Sequence, residues 1–340
     1  MVVLPTREAY TTPRVGRHGP MATIGFHASH EQLSPSALLR SVVAAQQAGF
    51  GAAMCSDHLA PWSERQGHSG YAWSWLGAAL QATDLPFGVV TAPGQRYHPA
   101  VIAQAIATLA DMFPGRFWAA LGSGEAVNEH VTGDRWPVKA ERDARLLECV
   151  DVIRALLRGE EVTHDGLVRV DRARVWSLPE VMPPLIGAAV SAETAHTVGT
   201  WADGLITVAR PVDALRPVVD AFRETSSEGT TVAFQAHVSW ADDEATALAI
   251  AHDQWRTGVL GSDLAWNLEL PTQFDDATRF VRPEDVCGPV MVSAHAGRHA
   301  AWLHELMQLG PDAIYVHHVG QEQERFLEMF GERVLPEVTS

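Results

Sequence analysis

The sequence predicts a (β/α)8 barrel, eight parallel strands closed into a cylinder and jacketed by helices. Three observations carry this expectation. Apolar runs that read as strands alternate with helical periodicity along nearly all of the 340 residues, and such alternation implies a parallel sheet with helical crossovers. There are eight such runs, which favours closure over an open sheet. Hydrophobic residues make up 46% of the chain, enough for one large core.

In chain order, residues 22–26 read as the first strand. A helix follows over 34–49, opened by Ser34-Pro35 as cap and first turn and closed by Gly49. Strand and helix then alternate: 52–55 and 71–82, 87–91 and 99–112, 117–121 and 139–157. The second half continues with 185–190 and 192–201, 204–208 and 212–225, 231–239 and 244–256, and closes with strand 313–319 and helix 321–334. Residues 162–177 alternate in character and suit a small hairpin on the rim. Between about 258 and 292 no clean strand is legible, while Trp266, Pro271, Phe274 and Phe280 are scattered through it. This stretch reads as an insertion after strand seven, a lid or substrate wall. Residues 1–20 carry prolines and arginines without an apolar signal-peptide core and are expected to form a loose extension. Met21 is a candidate start, and residues 21–338 form a single barrel domain in this reading.

Composition narrows the function. A formal net charge of -16 argues against a nucleic-acid groove or an anionic membrane surface. No apolar run of about 18 residues exists to span a membrane. Cys55, Cys149 and Cys287 lie far apart without C-x-x-C spacing, which suits a reducing cytoplasm.

Two strand ends carry the chemistry. Ser56-Asp57-His58-Leu59-Ala60-Pro61-Trp62 follows strand two, and Gly122-Ser123-Gly124-Glu125-Ala126-Val127-Asn128-Glu129 follows strand four. In a parallel β/α protein both point to the face that holds the active site. His58 titrates near neutrality and can move a proton. Asp57 is a candidate to orient it, although neighbours on an extended chain point apart. Trp62 can cover a flat ligand. Gly122 and Gly124 let backbone approach such a ligand, and Glu125 in a dry pocket can hold a proton. Arg96-Tyr97-His98-Pro99 reads as structural, with Pro99 starting a helix. His295, His299 and His304 fall on one expected helix, but no H-E-x-x-H glutamate lies between 295 and 299, and His27 and His30 miss H-x-H spacing. No metal site is expected.

These motifs resemble the luciferase-like flavin and deazaflavin oxidoreductases over nearly all of residues 21–338. The resemblance rests on Ser56-Asp57-His58 with Pro61-Trp62, the run from Arg96 to Gln104, Gly122 to Ala126 with Asn128-Glu129, Ala202-Asp203-Gly204, and the run from Arg325 to Phe330. Within the family the chain looks closest to the branch of F-420-dependent glucose-6-phosphate dehydrogenases and, more narrowly, to a sister group that uses FMN. The resemblance implies a cofactor ring at the strand C-termini, with FMN as the first reading and F-420 as the alternative. It implies His58, Trp62 and Glu125 as catalytic residues. Asp57, Val89, Val90, Gly122, Ser123, Gly124, Asn128, Val190 and Ser191 would bind the cofactor. Val89-Val90 matches the site of a non-prolyl cis peptide in relatives. Hydride transfer or oxygen activation on a small organic substrate follows, with a separate flavin reductase as a possible partner and a homodimer expected. The chain also departs from the family. Val190-Ser191 replaces the usual Gly-Gly, and the basic positions for a sugar phosphate fall near Arg210-Pro211, Leu260 and Pro289, so glucose 6-phosphate is not the expected substrate. A metal-dependent barrel hydrolase and a non-catalytic flavin-binding protein are the rival readings.

Overall fold

A computed structural model describes residues 22–339; the loose extension expected over 1–20 and the candidate start at Met21 lie outside the described residues. Eight strands close a barrel: β1 (Thr23–Ala28), β2 (Ala52–Ser56), β3 (Phe87–Thr91), β4 (Phe117–Leu121), β5 (Leu185–Ala188), β6 (Gly204–Val208), β7 (Thr231–Ser239) and β8 (Ala313–His318). Each pairs in parallel with the next, and β8 returns to β1, where Gly25 faces Tyr315. The crossovers are helical, as a parallel sheet requires. The first helix, Pro35–Ala48, has the expected ends. The Ser34 hydroxyl accepts from Ala37 N at 3.4 Å, and Gly49 takes the left-handed φ of 101°.

The structure adjusts several boundaries. β5 ends at Ala188 instead of 190, because Ser191 turns outward to cap the helix Ala192–Gly199. Val162–Asp165 and Arg169–Ala173 form the antiparallel rim hairpin. The insertion holds short helices at Ser262–Ala265 and Pro271–Ala277, and a two-residue strand, Met291–Val292, beside the end of β7. Two residues carry too little pattern to be legible as a strand. His295 is the N-cap of the helix Ala296–Met307 and not a member of it, while the His299 ring nitrogen bonds the Ser293 carbonyl at 2.9 Å. Of the three histidines expected on one helix, His299 and His304 lie on it and His295 stands just before it. Among the described residues no group of three or more metal-ligating side chains is gathered, and no helix is long and apolar enough to cross a membrane.

Strand residues alternate between two cores. One set, with Phe26, Cys55, Phe87, Val89 and Phe234, packs outward against the helices. The other, Ala52, Met54, Trp118, Ala120, Ile186, Ile206 and Tyr315, plugs the barrel interior. Trp118 reaches across Gly88 so closely that a Cβ there would stand 1.8 Å from the indole. The plug is apolar at its base. Toward the strand C-termini it gives way to His27, Ser56, Gln235, His237 and His317, and this change of character floors the site.

Candidate active site

A cavity of about 330 Å³ opens at the C-terminal end of the barrel. His58 hangs into it from the loop after β2. Its Nδ1 is in contact with the Glu31 carboxylate, and its Nε2 lies 3.6 Å from Glu125 Oε2. Glu31 sits just beyond β1, is 2% exposed, and also accepts from the Ser29 hydroxyl at 2.6 Å. The two expected residues His58 and Glu125 thus meet, with Glu31 as a third member that sequence reasoning missed.

Electrostatics follow from this geometry. Burial pushes the His58 pKa down, but the Glu31 charge and hydrogen bond, helped by the Glu125 charge, raise it to about 9. Burial pushes Glu31 up, and the His58 charge with the hydrogen bonds from His58 and Ser29 bring it down to about 2. Glu125 is shifted upward, chiefly by burial. At neutral pH the site holds an imidazolium clamped to Glu31, beside a carboxyl with raised proton affinity.

Asp57 does not orient His58. Its carboxylate accepts from Trp73 Nε1 at 3.1 Å, Thr91 Oγ1 at 2.9 Å and Tyr97 OH at 3.2 Å, with Arg96 at 3.5 Å. Arg96 also donates to the Asp57 carbonyl at 2.7 Å and pairs with Glu129 at 3.6 Å, while Pro99 starts the helix Pro99–Met112. The reason is the one that geometry gives for neighbouring residues: Asp57 and His58 point to opposite sides of the chain. Asn128 is a brace in this structure. Its Oδ1 accepts from Leu59 N at 2.8 Å, and its Nδ2 donates to Glu125 at 3.0 Å, fixing the carboxyl relative to the His58 loop.

Of the other expected residues, Val90, Gly122, Ser123, Gly124 and Val190 line the cavity. Val89 instead faces the helices and is fully buried there. The Val89-Val90 peptide is trans, since no described peptide bond is cis. Regular pairing of both residues with β2 and β4 holds the strand extended through that point. Ser191 serves as helix cap, its hydroxyl accepting from Thr194 N at 3.3 Å.

Trp62 stands edge-on to His58, with ring centroids 5.1 Å apart, and packs against Phe274 of the insertion at 5.3 Å. The insertion is anchored there: Arg65 and Ser63 reach Asp275 at 2.6 and 2.9 Å, and Ala126 N donates to the Trp266 carbonyl. Leu260, Trp266 and Phe274 complete the wall. Among the described cavity-lining residues, Lys139 is the one lysine or arginine, and it pairs with Asp143 at 2.5 Å.

Comparison with known proteins agrees with this architecture. A family model described as luciferase-like monooxygenase matches residues 19–320. An F420-dependent glucose-6-phosphate dehydrogenase of Nakamurella multipartita is 35% identical over 331 residues, covering 93% of this chain and 96% of that protein. An F420-dependent hydroxymycolic acid dehydrogenase of Mycobacterium tuberculosis is 35% identical over 254 residues, covering 71% of this chain and 70% of that protein. The solved structure of an F420-dependent secondary alcohol dehydrogenase in complex with an F420-acetone adduct superimposes with a TM-score of 0.86 at 27% identity, covering 94% of this chain and 99% of that one. A closed eight-stranded barrel, His58 and Glu125 meeting at its C-terminal mouth, and a match across most of the chain agree: the protein belongs to the luciferase-like monooxygenase family of oxidoreductases.

Proposed function

We propose that this protein is a deazaflavin (F420)-dependent dehydrogenase acting on an uncharged alcohol, or on the corresponding carbonyl compound in reverse. The relatives named above favour F420 over the FMN reading. The observation that carries the substrate class is the charge on the cavity wall. Glu31 and Glu125 flank His58 on it, Asp57 and Glu129 are paired with Arg96, and its lone lysine is paired with Asp143. A phosphate on the substrate, at the His58 end, would meet the Glu31 and Glu125 carboxylates without a free cation to offset it.

The residues present fit a planar cofactor. Val90, Ala92 and Ala188 present small side chains, and Gly122 and Gly124 present bare backbone. Gly124 has a φ of 86°, and a Cβ there would stand 3.1 Å from Glu129 Cγ and 3.4 Å from Ala92 Cβ. These residues, with Val190, would hold the ring. A bound deazaflavin supplies a two-electron hydride acceptor. His58 exchanges the hydroxyl proton of the substrate, and Glu31 stabilises the imidazolium that results. Glu125, held by Asn128 and raised in proton affinity by burial, stands 3.6 Å from His58 Nε2 and helps to hold the His58 charge. Trp62 and Phe274 exclude water. Because His58 is protonated up to about pH 9, carbonyl reduction is favoured below that pH and alcohol oxidation speeds up through it.

The test is titration of purified protein with F420 and with FMN, read by fluorescence, then F420 reduction by 2-propanol, cyclohexanol and glucose 6-phosphate. Tight F420 binding with turnover of a neutral alcohol is expected. Preference for FMN, or turnover of the sugar phosphate alone, overturns the reading.

A further inference from the structure

The polar floor of the cavity has no part in the chemistry assigned above. Gln235 projects inward from β7, and its Nε2 lies 3.2 Å from His237 Nε2. That contact pins one end of the Gln235 amide to the His237 ring, whichever tautomer the ring holds. His237 is locked in place by Trp255 at 4.6 Å and His317 at 5.2 Å between ring centroids. The contact holds one end of the amide and leaves the other without a partner among the described residues, in a half-buried side chain that lines the cavity. Thr257, in the short turn Arg256–Val259 that leads into the insertion, lines the same cavity, and its hydroxyl also has no protein partner among the described residues.

This set is neutral. Burial keeps His237 and His27 uncharged, with pKa values lowered to about 3 and about 4. An ionic group would find no counter-charge there. A purely apolar substrate would leave an oriented amide and a hydroxyl shut off from water, which is unfavourable. A hydroxyl or carbonyl oxygen satisfies both conditions. A hydroxyl can donate to or accept from the free end of the Gln235 amide, and either kind of oxygen can accept from the Thr257 hydroxyl.

We propose that Gln235, held by His237 in the cavity that Thr257 also lines, is a second recognition pole that takes a neutral oxygen of the substrate whose reacting hydroxyl meets His58. The substrate class is therefore an uncharged alcohol with a second oxygen function, such as a diol or hydroxyketone, and not a plain alkanol. For the reacting end this rests on the dehydrogenase reading; for the floor it rests on Gln235, His237 and Thr257 alone.

The experiment uses the full chain, with and without added F420, and two probes of matched size, trans-1,2-cyclohexanediol and cyclohexanol. The side-chain amide resonance of Gln235, identified by its disappearance in Gln235→Leu, is followed by 15N-correlated NMR. The diol is expected to shift it and cyclohexanol to leave it in place. In turnover, kcat/KM for the diol should exceed that for cyclohexanol by about fivefold or more, the worth of one added hydrogen bond, and Gln235→Leu should reduce this ratio toward one. Equal turnover of both probes without a diol-specific shift overturns the second pole and leaves the dehydrogenase reading intact. A diol-specific shift without turnover of either probe supports the pole and overturns that reading. Neither shift nor turnover overturns both. The binding arm needs only the native protein, so misfolding of the variant would not protect the proposal.

Discussion

Replacing Glu31 with glutamine isolates the electrostatic centre of the site. The substitution keeps the shape of the side chain and removes the charge in contact with His58 Nδ1. In the native protein the His58 pKa is raised from 6.5 to about 9. A group with a raised folded-state pKa stabilises the fold fully below its unfolded value, and this contribution is lost as pH rises through the folded value. For His58 the loss therefore runs from about pH 6.5 to 9. At pH 7 most of it remains, roughly 2–3 kcal/mol by linkage from the shift, and by pH 10 almost none is left. The same pair seen from Glu31, lowered from 4.5 to about 2, adds a loss as pH falls from about 4.5 through 2. These are two limbs of one interaction and are not summed. In Glu31→Gln the burial of His58 is no longer offset by Glu31, so its pKa should fall by two units or more. The assays are a 15N titration of the His58 ring and thermal unfolding against pH. The variant should be less stable than the native protein at pH 7 and nearly equal to it at pH 10. A His58 midpoint near 6.5 in the native protein, or one unmoved by the substitution, would refute the reasoning.

Further outcomes follow from single contacts. Gly88→Ala would put a Cβ 1.8 Å from Trp118 inside the barrel plug, and overpacking of this kind should cost at least roughly 1–3 kcal/mol; an unchanged Tm would show that the plug can yield. Phe274→Ala removes a fully buried ring that backs Trp62. It should destabilise by about 3 kcal/mol and raise the substrate KM more than the cofactor Kd; equal effects on both would deny the insertion its role as substrate wall. Glu125→Gln should slow turnover and lower the His58 midpoint, because the Glu125 charge helps to raise it; an unchanged pH profile would remove Glu125 from the proton chemistry.

The barrel and half of its site were legible from residue order. The alternation of elements, with caps such as Ser34 and Gly49, reflects local physics, and a parallel barrel sends every strand end to one mouth. His58, Trp62 and Glu125 could be placed there before any coordinates. Tertiary structure alone decided how the side chains pair. Glu31 and His58 leave different strands, and nothing local to either residue marks their contact. Adjacency of Asp57 and His58 left open whether their side chains meet, and the structure shows the Asp57 carboxylate held by Trp73, Thr91 and Tyr97 instead. Val89 shows the remaining limit. A parallel strand covered on both faces carries apolar residues at nearly every position, which hides the two-residue period that would say which side chains face the barrel axis. Which strand residues turn into the cavity, and so which chemistry its floor presents, is settled only when the barrel closes.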